Sequence, residues 1–376
     1  MNDMVLTVDP AGVVTLPEHS PLGASSAERW MSCPGSVTLI SALKASPDYV
    51  EDDPDYRRDG TQAHALAAHC LEADIDAWQA DETQFPELTA EMMGAVQEYL
   101  DFVRSLPGKR EVEVRVHLPD FHPSFFGTLD CVVVGPGSLH IIDYKHGVGV
   151  VVDAEDNPQL KYYARGRFDP WLKDDAPVKL TIVQPRAFHP DGTIRTWETT
   201  VGEIRRWAEE ELRPAMEATA DFEYLEMGQH CRFCPAKMVC PAFDGLARRA
   251  LAGVRVTYDE AQQLKMLVRA VEDKAYADLI AGKDPAEVGA KLVNKRSIRV
   301  WKENAPVVDR FGEDAWKPRD LRSPAEVEKL PRGKDFVAEF AYTPENGYTV
   351  ASLTDKKPAV KVKTLEEKYG DPAQYA

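Results

Sequence analysis

Two aspartates and a lysine carry the most direct chemistry in this sequence. In the stretch GTLDCVVVGPGSLHIIDYKHG, which begins at Gly127, the apolar runs Val132–Val134 and Leu139–Ile142 flank Gly135, Pro136 and Gly137. Pro136-Gly137 suits the centre of a tight turn. A two-residue loop there pairs positions whose numbers sum to 273, so Asp130 faces Asp143. Side chains alternate along a strand, which puts Lys145 on the same face. Two adjacent carboxylates repel unless a proton or cation lies between them, and hard oxygen ligands suit Mg²⁺ or Mn²⁺. Such an ion would polarise a phosphodiester and activate water, with Lys145 near the nucleophile or the developing charge. The alternative is a solvated hairpin face carrying a plain Asp–Lys salt bridge.

Other motifs surround this hairpin in a fixed order. GTQAH spans Gly60 to His64, G-T-x-D spans Gly127 to Asp130, D-Y-K spans Asp143 to Lys145, and Q-x-x-x-Y runs from Gln159 to Tyr163. Downstream lies Cys231-x2-Cys234-x5-Cys240, and far upstream lies Cys33. The set resembles RecB-like nucleases of the PD-(D/E)XK superfamily, and the cysteines resemble the split iron–sulfur clasp of AddB-type nucleases and CRISPR-associated exonucleases. Over the whole chain, RWMSCPGS, GTQAH, AEDNPQLKYYA and CRFCPAKMVCPA are similar to an uncharacterised bacteriophage and prophage family. These motifs cover residues 25–242.

The resemblance implies an α/β fold: a restriction-endonuclease-like mixed sheet flanked by helices, with a mainly helical C-terminal extension. It implies that His64, Asp130, Asp143 and the carbonyl of Tyr144 hold Mg²⁺ or Mn²⁺. Lys145 would position or activate water, while Gln159 and Tyr163 would orient DNA. Glu113 would be an additional acid, against an outward-facing solvated glutamate as the plain reading. For His64 the plain reading is a core histidine, and for Gln159 and Tyr163 an exposed Gln beside a core Tyr. Cys33, Cys231, Cys234 and Cys240 would hold a structural 4Fe–4S cluster. Four thiolates also suit Zn²⁺, and His230 offers a local zinc knuckle without Cys33.

The elements that must position these groups follow from local patterns. The acidic run Glu51–Asp59 reads as a solvated loop, and Gly60 to about Ala73 as a helix with His64, Ala67, Ala68 and Leu71 on one face. Ser25 and Glu28 suggest a capping box ahead of Cys33. Thr89–Ser105 is an amphipathic helix, and Glu111–Val116 alternates like a strand with one wet face. Val148–Val152 reads as a third strand. Asn157 and Pro158 open a helix that Gly166 would stop. KLTIVQ from Lys179 is a core strand, with Arg186 after it as a candidate contact to the nucleic-acid backbone, Thr196–Thr199 an edge strand, and Val201 to about Ala220 a long helix.

With 376 residues the chain can bury a large core. Its expected parts are a loosely ordered lead-in at 1–22, a nuclease core with its cysteine clasp at 23–245, and an accessory region at 246–376. Met1 to Pro21 lacks a basic start and an apolar run, and no stretch reaches the length of a membrane span, so the expectation is a soluble protein in the cytoplasm of a bacterial host. A reducing cytoplasm disfavours disulfides. Cys70 and Cys131 then read as small core residues.

The net charge is −17, and it is unevenly spread. Residues 251–376 hold 22 Lys and Arg against 21 Asp and Glu, leaving 23 against 41 in residues 1–250. An anionic body repels DNA, so a nuclease here needs bound metal, a local basic groove, or a partner that delivers DNA. In the C-terminal region, Tyr258–Ala281 reads as a long helix with Leu264, Leu267, Val268, Val271, Ala275 and Leu279 on one stripe. KLVNKRSIRVWK, from Lys291 to Lys302, interleaves five basic residues with Trp301, which suits single-stranded nucleic acid; the alternative is one amphipathic strand. The final residues, rich in Pro and Lys, read as weakly ordered. No P-loop motif occurs, so the chain carries no helicase motor of that kind.

The expected activity is a metal-dependent DNA exonuclease acting on single- or double-stranded ends in phage recombination or replication. Its expected protein partner is a phage single-strand-binding protein, recombinase or polymerase. A non-catalytic DNA-end or replication-complex protein that keeps the fold and cluster as scaffold is the alternative, and a zinc-stabilised adaptor is a third class.

Overall fold

The computed structural model describes residues 20–47, 49, 55–81, 83–168, 172–221, 224–295, 298–302, 305–316, 321–344, 347–352 and 357–360, with 7–8 and 14–15 of the lead-in. The Pro- and Lys-rich end at 361–376 and most of the lead-in lie outside these residues. The chain divides into two compact units, Met1–Leu264 and Lys265–Ala376, so the division falls inside the long helix rather than at residue 245.

The first unit is built on one five-stranded sheet. Its strands are β1 (Lys109–His117), β2 (Phe126–Gly135), β3 (Ser138–Tyr144), β4 (Pro177–Val183) and β5 (Ile194–Thr200), in that spatial order. All pairs are antiparallel except β3 with β4, which run parallel. A parallel pair needs a crossover. Here α5 (Pro158–Arg167) supplies it.

The other helices of this unit include α1 (Ala27–Ser32), α2 (Gly35–Lys44), α3 (Asp55–Ala73) and α4 (Ala90–Ser105) before the sheet, and α6 (Val201–Trp207) after it. The expected long helix after β5 continues from α6 through a π turn at Ala208–Leu212 into Arg213–Ala218. Pro214 lacks the N–H that a regular helix would need at that point, and π turns accommodate such faults.

Two apolar cores sandwich the sheet. One joins Leu129, Val132, Ile141, Leu180 and Ile182 of the strands to Trp30, Leu160, Tyr162 and Trp207 of the helices. The second joins Cys131, Val133, Ile142 and Tyr144 to Leu66, Cys70, Val96, Tyr99 and Leu100 of α3 and α4. Cys70 and Cys131 are fully buried there, as small core residues. Each such Leu or Val contributes about 1.5–3 kcal/mol by leaving water, before the entropy of ordering it is counted.

The β2–β3 hairpin has the expected register. Gly135 pairs with Ser138 and Cys131 with Ile142, and Gly137 takes the left-handed φ of +71° that the tight turn requires. Thr89 caps α4 by accepting from the Met92 amide, and Asn157 caps α5 by accepting from the amides of Gln159 and Leu160.

Several local expectations are corrected. Helix α3 already begins at Asp55, so the described part of the acidic run is helical. Its buried stripe is Ala63, Leu66, Ala67, Cys70 and Leu71, which leaves His64 on the rim of the apolar face. Ser25 does not cap α1: it lies in a 3-10 turn, and the residue at the cap, Ser26, turns its hydroxyl back to the Gly23 carbonyl. Val148–Val152 is not a strand. Side chains hold that segment instead: Gln184 donates to the carbonyls of Gly147 and Val150 and accepts from the Val152 amide, while Arg195 donates to the Val152 carbonyl. Its β-branched composition suits an extended path, and satisfied backbone groups do not have to come from a ladder.

In the second unit, Ala290–Asn294 pairs with Tyr348–Ser352, and Val300–Trp301 with Ala341–Tyr342. A small core of Val307, Ala315, Val327, Phe336 and Val337 forms beside them. The Trp301 indole donates to the Arg322 carbonyl and packs edge-on against Phe336, and Arg299 pairs with Glu328. Trp301 is therefore occupied by its own core rather than open for base stacking. On the long helix Tyr258–Ile280, Val268 and Val271 of the expected stripe stay exposed, while Gln263, Ala270 and Leu279 are buried.

Gly166 is not a helix stop, since α5 runs one residue past it. Its role is close approach: a Cβ there would stand 2.9 Å from Phe125 Cε1 and from Val116 Cβ. Gly166→Ala is expected to lower unfolding free energy by about 1–3 kcal/mol, the usual range for overpacking. Gly60→Ala, whose Cβ meets open space, is expected to be neutral or stabilising by up to about 1 kcal/mol. Urea titration of both variants beside the parent checks the pair.

Candidate active site

Three acidic residues fall on one row across β1, β2 and β3. The β1–β2 register places Glu113 against Asp130, and the β2–β3 register places Asp130 against Asp143. The row is also where the sheet kinks. Glu113 adopts φ +49° and drops out of the β1–β2 ladder. Leu129 and Cys131, which a regular strand would put on one face, pack into opposite cores. A non-glycine residue in the left-handed region costs energy and is found most often at functional positions.

The kink lets side chains do the work of main chain. Paired β2–β3 positions stop at Cys131 and Ile142, and the next amide, that of Tyr144, donates instead to Asp130 Oδ2 at 2.7 Å. The other Asp130 oxygen lies 3.2 Å from His64 Nδ1. His64 is thus not a satisfied core histidine: half-buried on the α3 rim, it reaches across to the strand. Its ring stands edge-on to Tyr144 at 5.4 Å, and the Tyr144 ring turns into the second core while its main chain joins Asp143 to Lys145.

Helix α5 delivers the remaining groups. Its capped first turn aims Gln159 so that Nε2 donates to Asp143 Oδ1 at 2.8 Å, while Oε1 accepts from Lys145 Nζ at 2.9 Å. Lys145 Nζ also lies 2.8 Å from Asp143 Oδ2, and the Lys145 amide is tied to the Val183 carbonyl of β4. Four residues on, Tyr163 is buried in the first core beside Gln159. A Cβ on Gly127 would stand 3.5 Å from the Tyr163 ring, so the glycine of G-T-x-D leaves room for it. His64, Asp130, Asp143, Lys145, Gln159 and Tyr163 therefore form one connected group.

The electrostatics separate the two aspartates. Burial alone would raise the Asp130 carboxyl, but the His64 charge and hydrogen bond, Lys145 and the Tyr144 amide outweigh it and hold Asp130 below the ordinary carboxylate range. Asp143, 3% exposed, is raised, by burial first and then by the Asp130 charge, despite Lys145. His64 loses by burial but is raised on balance by Asp130. Glu113 stays solvent-accessible, yet desolvation and the Asp130 charge lift its carboxyl to about 7.

Among the described residues no group of three or more His, Cys, Asp or Glu side chains is preassembled as a metal cage. The donor chemistry nevertheless fits a hard divalent cation. Asp143 Oδ2 is buried with no properly directed hydrogen bond, because the Lys145 ammonium at 2.8 Å approaches it off the hydrogen-bonding direction. Such an oxygen keeps a lone pair for a cation, and Asp130 stands beside it.

Away from the acidic row in sequence, Cys33, Cys231 and Cys234 are buried near one another. The Glu226 amide donates to Cys33 Sγ at 3.4 Å, and the His230 ring, near Cys33, hydrogen-bonds the Glu226 carbonyl. Cys240, half-buried at the start of the helix Pro241–Leu251, is fixed through its main chain, with its amide to Lys237 and its carbonyl to Asp244. All six cysteines are free thiols, a set that suits iron–sulfur or zinc ligation.

The family model described as "Protein of unknown function (DUF2800)" matches residues 19–358. The chain belongs to the DUF2800 family. In this DUF2800 protein the match spans the acidic row, the cysteines and most of the second unit.

Sequence reasoning missed Gln184 and Arg195 as supports of the site and offered Arg186 only as a contact to the nucleic-acid backbone. Gln184, one residue past β4, and Arg195 pin the loop between β3 and α5, and Arg195 also bonds Gln184 at 2.8 Å. Arg186 links Glu91 of α4 to the His146 carbonyl, just after Lys145. A polar residue ending an apolar strand, as in KLTIVQ, is the signal for Gln184.

Glu113 yields a stability prediction. Unfolded, its carboxyl ionises near 4.5; folded, it holds its proton to about 7. The folded state binds the extra proton between these values, so the parent loses stability as pH rises through that window and levels off above it. In EDTA, Glu113→Gln is expected to raise the melting temperature at pH 8 but not at pH 4. The same difference at both pH values would show that the carboxyl is not lifted.

Proposed function

We propose that this protein is a metal-dependent DNA exonuclease that hydrolyses phosphodiester bonds at DNA ends, in phage recombination or replication within the cytoplasm of a bacterial host. The observation that carries the reading is the buried Asp143 carboxylate, with one undirected oxygen, beside Asp130, Lys145 and Gln159. Structural salt bridges rarely set a second carboxylate beside a buried one, because each anion raises the cost of the other.

In this reading His64, Asp130, Asp143 and the Tyr144 carbonyl hold Mg²⁺ or Mn²⁺, which when bound neutralises charge and polarises the phosphodiester. Lys145 Nζ orients the attacking water and stabilises charge on the reacting phosphate. Gln159 keeps Lys145 and Asp143 in register, Tyr163 buttresses Gln159, and the N-terminus of α5 faces phosphate favourably. Glu113 takes up or releases a proton at the open rim. The four cysteines hold a structural 4Fe–4S cluster, with Zn²⁺ as the other candidate. A phage single-strand-binding protein, recombinase or polymerase would bring DNA to a body whose first 250 residues are strongly acidic. That acidity favours the second reading, a DNA-end or replication-complex scaffold without catalysis. No helix among the described residues is long and apolar enough to cross a membrane.

The test is cleavage of end-labelled linear DNA against closed circular DNA, with Mn²⁺ or Mg²⁺, by anaerobically purified wild type beside Lys145→Ala. Wild type is expected to degrade only DNA with ends. Lys145→Ala is expected to lose at least about a hundredfold in rate, the scale of removing one preorganised charge-stabilising group. Undiminished cleavage by Lys145→Ala would remove the role of Lys145. No cleavage by either protein would leave the scaffold reading.

A further inference from the structure

A pocket of about 560 Å³ opens beside the acidic row. Glu72 of α3, Arg104 of α4, Leu106, and Gly108, Arg110 and Val112 at the edge strand β1 line it. It lies on the same edge strand as Glu113: Val112 of its lining precedes Glu113 in the chain, and the Glu72 carboxylate adds to the charge that Glu113 feels. Because β1 is an edge strand, no further strand closes the sheet beyond it.

The charged groups of the pocket have unequal roles. Arg104 is spent on structure: it pairs with Asp76 at 2.7 Å and donates to the carbonyls of Ile75 and Cys70, which closes the end of α3. Arg110 is different. Half-buried, it makes no ion pair or directed hydrogen bond among the described residues, and neither does Glu72, which is exposed at the pocket's mouth. One guanidinium and one carboxylate thus share a polar pocket without pairing to each other. Their complement is a ligand that carries an anion at one end and N–H donors at the other.

A nucleotide has that pattern. A guanidinium grips phosphate with two parallel hydrogen bonds, and a carboxylate accepts from the exocyclic amino group of a base. The volume suits a small molecule of this size and is too roomy for a bare inorganic anion. We propose that the pocket takes the terminal nucleotide of a DNA strand, with Arg110 on its phosphate and Glu72 on the amino edge of its base. The acidic row then meets a phosphodiester only near a strand end. This rests on the nuclease reading of the row, and it explains a preference for ends that the row by itself does not.

The test is calorimetric titration of full-length protein in EDTA with dAMP, deoxyadenosine and inorganic phosphate, so that binding is read without turnover. Wild type is expected to bind dAMP at least about tenfold more tightly than either fragment, and Arg110→Ala to lose that margin while keeping its melting temperature. No dAMP binding at millimolar concentration, equal affinity for dAMP and phosphate, or unchanged affinity in Arg110→Ala overturns the proposal. If Arg110→Ala does not fold, the wild-type comparison of dAMP with deoxyadenosine still decides: equal affinities overturn it. A protein that binds dAMP in this way yet cuts no DNA keeps the pocket and loses the nuclease.

Discussion

The structure depends on one local departure from regular sheet geometry. At the row of Glu113, Asp130 and Asp143 the strands stop exchanging main-chain hydrogen bonds, and the Asp130 carboxylate takes the Tyr144 amide in their place. Without that substitution β2 and β3 would pair on past Cys131, and Asp130 would hold neither the Tyr144 amide nor His64. With it, the buried Asp143 and the half-buried Asp130 sit between His64 of α3 and Lys145 just past β3, with Gln159 of α5 joining Asp143 to Lys145. Buried ion pairs gain little net stability over apolar packing of the same volume. A fold that keeps this one pays for chemistry or for specificity, and the undirected oxygen on Asp143 favours chemistry.

Much of this was legible in the sequence for identifiable reasons. Pro136-Gly137 sets a two-residue turn, and a turn of fixed length sets register, so the facing of Asp130 and Asp143 followed from counting. Asn157 and Pro158 announce a helix start, which fixes Gln159 and Tyr163 one turn apart on α5. The kink itself was not legible, because no residue type marks a strand that rotates between Leu129 and Cys131, and Glu113 in the left-handed region defies its own propensity. The Val148–Val152 segment misled for a related reason. Its composition reports a preference for extended backbone, while its hydrogen bonds come from Gln184 and Arg195, distant in sequence.

The cysteines and the second unit show where local pattern stops short. The folding of α1 against the stretch around Glu226 puts Cys33 near Cys231 and Cys234, whereas Cys240 is described only through its helix start. Trp301 looked like a stacking platform because basic neighbours surround it, yet an indole with an apolar cluster in reach packs, half-buried, against Phe336. In that unit tertiary burial overrides the composition of the segment. In the first unit composition and burial agree, which is why the site residues converge there.

The central claim is that the Asp130–Asp143 pair is a divalent cation site, its negative charge offset in this structure by His64 and Lys145. The most direct measurement is Mn²⁺ binding, followed by electron paramagnetic resonance and by calorimetry, to wild type and to the Asp130→Asn/Asp143→Asn double variant, both with the cysteine site loaded. The account predicts saturable binding of Mn²⁺ to wild type that the double variant loses. Equal binding by the two proteins, or none by wild type, would contradict it.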